Sequence, residues 1–294
     1  MKENLSPAEK EERFNRWLIS EYLKYGSVDE VYKAHDYNIP ISYAGYQRLL
    51  DKWGIVKAAG PNTRLTEALI FLEELSLEKI PLERLYRKMP LSFKASITTM
   101  HRILNSIRSE TIRRVGTALV ITQVENKNLV LIGNDVSPIV RTNVGKPFGS
   151  LTLPMGYSRR TESRETSILR VLQQEVFTFP TIERIDTPKR IIPPSPRPFM
   201  YLDIADVRVA VYHLTLPPEL SKPDSFTSFK IKNHRFIHLG EMLERKLNFR
   251  AGIVEIAAGY RNYLERGNLF SFPIFQRAFL NRELAKTAIA LVRE

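Results

Sequence analysis

The sequence predicts an α+β protein: an all-α front portion followed by a second half that mixes strands with helices. Two observations carry this. The first is an internal repeat. Shifted by 54 positions, VDEVYKAHDYNIPISYAGYQRLLDKW lies over LERLYRKMPLSFKASITTMHRILNSI without a gap, and Tyr32/Tyr86, Ser42/Ser96, Arg48/Arg102 and Leu50/Leu104 are identical. The second is the set of strand-like runs VGTALVITQV, NLVLIG and VRVAVYHLTL, with the amphipathic stretch that carries Ile168, Leu169, Leu172 and Val176 among them.

In the front portion, residues 7–25 read as a helix with Phe14, Trp17, Leu18 and Leu23 on one stripe, stopped by Gly26. Ser27 and Glu30 have capping-box spacing and open a short helix to about His35. Asp36–Pro40 is a turn, and a second helix runs from Ser42 to Gly54. Short helix, turn and helix make a helix-turn-helix pattern, and the repeat predicts two tandem units, about 8–54 and 62–108, in a domain of residues 1–110. The second helix of such a unit enters the DNA major groove. That makes Ser42, Tyr43, Gln47, Arg48 and Lys52 candidate DNA contacts, with Ser96, Thr98, Thr99, His101 and Arg102 in the second copy. A protein-interaction or purely structural helical module is the alternative, because this portion is nearly neutral, with 17 basic against 15 acidic residues.

In the second domain, 111–294, two strands form a hairpin around Glu125–Asn128. SLTLPMG then leads into a basic loop and a helix with Ile168, Leu169, Leu172 and Val176 on one stripe. Residues 180–200, with prolines at 193, 194, 196 and 198, read as extended loop. A helix is expected over 251–266 and another over about 274–293. The latter either packs on this domain or forms a homodimer contact. His213 reads as a half-buried strand residue, and the five histidines lack metal-ligand spacing apart from the loosely placed pair His234 and His238.

Gly156, Glu162 five residues later, Arg170 seven after that, then Leu172 and Glu175 resemble the Nudix box, G-x5-E-x7-R-E-U-x-E-E-x-G-U. The resemblance implies an α/β/α sandwich with a mixed sheet, a clamp between Glu162 and Arg170, and substrates of the nucleoside-diphosphate type. In the family, glutamates at the positions of 171, 174 and 175 hold Mg²⁺ with help from the carbonyl at 156. These positions are i, i+3 and i+4 and share a helix face. This chain has Val171, Gln174 and Glu175 there, so two carboxylates are gone. The box therefore implies the fold more strongly than hydrolysis. If the chain is active, Glu175 is the catalytic metal ligand, with Gly156 and either Glu162 or Glu165. Asp224 is the nearest carboxylate before the last strand. Arg159, Arg160 and Arg164 can meet ligand phosphates bidentately or form a solvated loop.

The net charge of +12 is concentrated in the second half, where 27 basic residues face 17 acidic ones. This fits polyanionic partners, whether DNA, RNA or nucleotides, or a merely basic surface. With no cysteine, disulfides, thiol catalysis and thiolate zinc sites are excluded. No apolar run suits a membrane span and the N-terminus lacks a signal-like segment, so a cytoplasmic protein is expected. The expected activity is a DNA-binding regulator that senses a nucleotide or other phosphorylated ligand without efficient hydrolysis. The alternatives are a Mg²⁺-dependent Nudix hydrolase and an RNA-associated or scaffold protein.

Overall fold

The computed structural model describes residues 6–58, 97–136, 149–185, 187–244, 247–267 and 272–292. Most of the second repeat unit, including Ser96, lies outside them. So do the side chains of Thr98, Thr99 and His101.

Helix α1 (Pro7–Tyr25) starts at Ser6, which forms a full capping box with Glu9, and stops at Gly26 at φ +81. Helix α2 (Val28–Ala34) is capped by Ser27 and α3 (Tyr43–Lys52) by Ser42. Between them Asp36 and Tyr37 both take left-handed backbone angles, so the chain reverses in very few residues. Leu18, Ile19, Leu23, Val31, Tyr46 and Leu50 close a small core of their own. The hydroxyls of Tyr46 and Tyr32 are satisfied by the Leu18 and Ile41 carbonyls.

Helix α4 (Ile97–Arg108) follows. Its apolar side, Ile103, Leu104 and Ile107, belongs to the core of the second half. Strands β1 (Arg114–Gln123) and β2 (Leu129–Asp135) are the expected hairpin. β3 (Leu151–Thr152) and β4 (Met155–Ser158) lead to α5 (Arg164–Glu175), the box helix. Where an extended loop was expected, short helices α6 (Thr178–Ile182) and α7 (Thr187–Arg190) occur. Pro180 and Pro188 sit in their first turns, where backbone N–H groups lack intrahelical acceptors and proline costs little. Then come β5 (Met200–Ile204), β6 (Val207–Leu216), β7 (Ile231–His238), α8 (Leu239–Leu243) and α9 (Ile253–Arg266).

The expected last helix is divided. Ile274–Arg277 is strand β8, and α10 begins only at Phe279 and runs to Val292. Parallel pairing of Ile274–Arg277 with Met200–Asp203 overrides the helical spacing of the apolar residues, and Phe275 stacks on Tyr201 across the pair.

The sheet is mixed, with strand order β3-β2-β1-β6-β5-β8. β1 runs parallel to β6 along its whole length. Its other edge is shared by β4, next to Val115–Ala118, and by β2, next to Thr122. β7 pairs with β2. Ala118 and Val120 face α4, α9 and α10, while Leu119 and Ile121 face α5. Burial on both faces is why β1 reads as an unbroken apolar run rather than an alternation. The second half is thus an α/β/α sandwich with a mixed sheet, as the box implied. No helix among the described residues is long and apolar enough to cross a membrane.

Candidate functional site

The site is built where β4, the loop after it and α5 meet. Gly156 lies in β4 opposite Thr117. The loop folds back because Glu162 accepts hydrogen bonds from the Arg159 backbone N–H at 3.0 Å and from Ser167 Oγ at 3.1 Å. Ser163 caps α5. Glu162 and Arg170 form a buried ion pair, 7 % and 4 % exposed. Arg170 also donates to the Tyr157 carbonyl and to the Lys57 carbonyl, the latter at 3.1 Å. Burial, then the nearby Arg159 charge, lowers the Arg170 pKa to about 10, which leaves the guanidinium charged at neutral pH.

The face that would hold metal has different chemistry. A side-chain carbon on Gly156 would rest 3.8 Å from Val171 Cγ2, an apolar contact. Gln174 Oε1 accepts a 2.5 Å hydrogen bond from the ammonium of Lys230, a lysine only 5 % exposed. Glu175 Oε2 accepts from the Met155 backbone N–H at 2.7 Å. No cluster of three or more metal-type ligands occurs among the described residues. One carboxylate, one amide and one valine, with an ammonium against the amide, do not fit Mg²⁺, which needs several oxygen donors and is repelled by a neighbouring cation. Asp224 lies in a separate short turn.

Lys230 also suits the helix end it touches. The last carbonyls of α5 carry partial negative charge. They are capped by Thr178 Oγ1 on Gln173 and Gln174, by Ser228 Oγ on Gln174 and by His234 Nε2 on Glu175 at 2.9 Å. Burial depresses the His234 pKa, partly offset by that carbonyl, so the ring is neutral and donates through Nε2. His238 caps α8 instead, so the two histidines serve separate helices.

The front helices sit against this same face. Gln173 donates to the Gly54 carbonyl at 2.9 Å and accepts from the Val56 N–H at 2.9 Å. Ala58 N–H donates to Tyr22. The Lys230 ammonium lies 3.8 Å from where a side-chain carbon on Gly26 would be. Arg16 pairs with Glu183, and Arg184 stacks over Trp53. Sequence reasoning missed this contact. Lys230 is 56 positions from Gln174 in the chain, and Gln173 carried no motif.

The predicted phosphate arginines each donate to different main-chain carbonyls. Arg159 donates to the Ala58 carbonyl, Arg160 to those of Ile112 and Arg113, and Arg164 to that of Pro196. On α3 the predicted DNA contacts Ser42, Tyr43, Arg48 and Lys52 are exposed and Gln47 is half-buried. Arg102 on α4 is exposed.

No protein-family model matches the sequence, and no curated protein matches it. Solved structures to which it is similar include a MutT/Nudix family protein from Listeria innocua, with 16% identity over 55% of this chain and 99% of that one and a TM-score of 0.38. An ADP-ribose pyrophosphatase from Streptococcus suis is 13% identical over 56% of this chain and 98% of that one, with a TM-score of 0.36. An Ap4A hydrolase from C. elegans is 13% identical over 53% of this chain and 100% of that one, with a TM-score of 0.35.

Proposed function

We propose that the chain is a regulator in which a Nudix-like sandwich binds a small anionic ligand without hydrolysing it, and the front helical module contacts DNA through α3. The observation that carries the non-hydrolytic reading is the buried hydrogen bond from Lys230 to Gln174. A fixed ammonium is bonded to the amide that takes the place of a metal-binding carboxylate of the box. The exposed face of α3, with Tyr43, Arg48 and Lys52, supports the DNA reading.

The test has two arms. Gel-shift titration with genomic fragments should show binding that weakens steeply with salt, and Arg48→Ala should reduce it. Absence of binding at low salt overturns the DNA half. Formation of AMP from ADP-ribose and from diadenosine tetraphosphate in Mg²⁺ or Mn²⁺, followed by chromatography, should stay at background.

The second reading is a Mg²⁺-dependent hydrolase of nucleoside diphosphate derivatives. It is favoured by the intact Glu162–Arg170 clamp and by Glu175 at its box position. Turnover abolished by Glu175→Gln would establish it in place of the first.

A further inference from the structure

We propose that the cavity between α6 and β7 binds a small planar aromatic molecule that carries one anionic group. The cavity is distinct from the box loop. It encloses about 440 Å³, and its lining includes Phe179, Phe226, Phe229, Lys232, Asn233 and His234. That volume lies within the roughly 300–1,000 Å³ of small-molecule sites.

The lining sets the chemistry. Three phenylalanines offer faces and edges for a flat ring. Phe226 is fixed by Phe177, Phe236 and His234 around it, whereas Phe179 at the rim is 56% exposed, an unusual state for so large an apolar ring. Among the described residues, no aspartate or glutamate lines the cavity. Lys232 is exposed and makes no ion pair among the described residues. The His234 Nε2 is committed to the Glu175 carbonyl, which leaves Nδ1 as the ring's other polar atom. An apolar, aromatic floor with an exposed cation at its mouth selects an aromatic anion over a cation or a neutral sugar.

Occupancy would be felt at the joint between the two halves. Ile182 and Phe229 line the cavity and also pack on the core of α1–α3. Lys230, two residues before Lys232, is bonded to Gln174. Arg184, two residues after Ile182, lies over the Trp53 ring at 5.0 Å.

This inference rests on the ligand-binding reading of the sandwich, and its test is independent of hydrolysis because the probes contain no pyrophosphate bond. The full chain is titrated by calorimetry with AMP, adenosine, indole-3-carboxylate and orthophosphate, and the fluorescence of Trp53 is followed in parallel in a Trp17→Phe background. Saturation by AMP or by indole-3-carboxylate is expected, and whichever binds more tightly identifies the anion as phosphate or carboxylate. Adenosine should bind at least about 10-fold more weakly than AMP, and orthophosphate alone should not saturate. Lys232→Glu should weaken the tighter anion at least about 10-fold and Phe179→Ala about 5-fold, while Arg159→Ala in the box loop should leave it unchanged. The proposal is overturned if neither aromatic anion saturates below about 1 mM. It is equally overturned if both cavity variants bind like the parent, or if Arg159→Ala removes binding.

Discussion

Arg170 is the side chain on which β4, the box loop and the front helices converge, and its charge is buried together with that of Glu162. Removing one partner of such a pair strands the other in a poorly solvated place. Glu162→Ala should therefore destabilise the fold by about 3–5 kcal/mol, read as a shift of the urea unfolding midpoint, and Glu162→Gln by less because an amide still accepts from Arg170. A loss below about 1 kcal/mol would mean that the pair is solvated in solution. This clamp was legible through the resemblance to the Nudix box, which implies a pair at the positions of Glu162 and Arg170. The ammonium at Gln174 was not legible. Its position depends on where the loop before β7 crosses the end of α5, and no local pattern encodes a crossing.

At the scale of elements, the reading was strongest where the local pattern was sustained, as in α1, α3, α5 and the β1–β2 hairpin. It failed where a tertiary partner decided. Phe275, Ala278 and Phe279 have helical spacing, yet β5 recruits Ile274–Arg277 as a strand. The entry to α9 shows how little slack these junctions have. Gly252 caps that helix at φ +89, and an added side-chain carbon would stand 2.5 Å from Ile204 Cδ1 and 3.0 Å from Leu202 Cδ2. Gly252→Ala combines a left-handed backbone with overpacking against β5. It should lower stability by about 2–4 kcal/mol, visible as a drop in thermal midpoint. An unchanged midpoint would show that β5 and α9 can move apart freely.

For the molecule as a whole, acid should be destabilising before the carboxylates titrate. His213 on β6 contacts Tyr260 and Thr122, and burial pushes its pKa down from 6.5 to about 4. The folded ring stays neutral while the unfolded chain takes up a proton below pH 6.5, so stability is full above that value and falls as pH drops toward 4. The slope contributed by this one group is about 1.4 kcal/mol per pH unit. Urea midpoints between pH 6.5 and 5 should fall accordingly, and His213→Gln should flatten part of that slope. Retention of the full slope in the variant would assign it to other groups, His234 first among them, since burial depresses it in the same direction.

The attachment of the front helices has a consequence for how the sequence can vary. Gln173 and Arg170 grip main-chain atoms of Gly54, Val56 and Lys57 rather than their side chains. Such a grip is blind to residue identity on the segment it holds. Val56 and Lys57 can therefore drift, and the exposed face of α3 can be rewritten for new targets, while the seam keeps its geometry; Gly54, at φ +64, and Ile55, buried in the core of α1–α3, are fixed for reasons of their own. Substitutions on the sandwich side, at Gln173 above all, do not share that freedom.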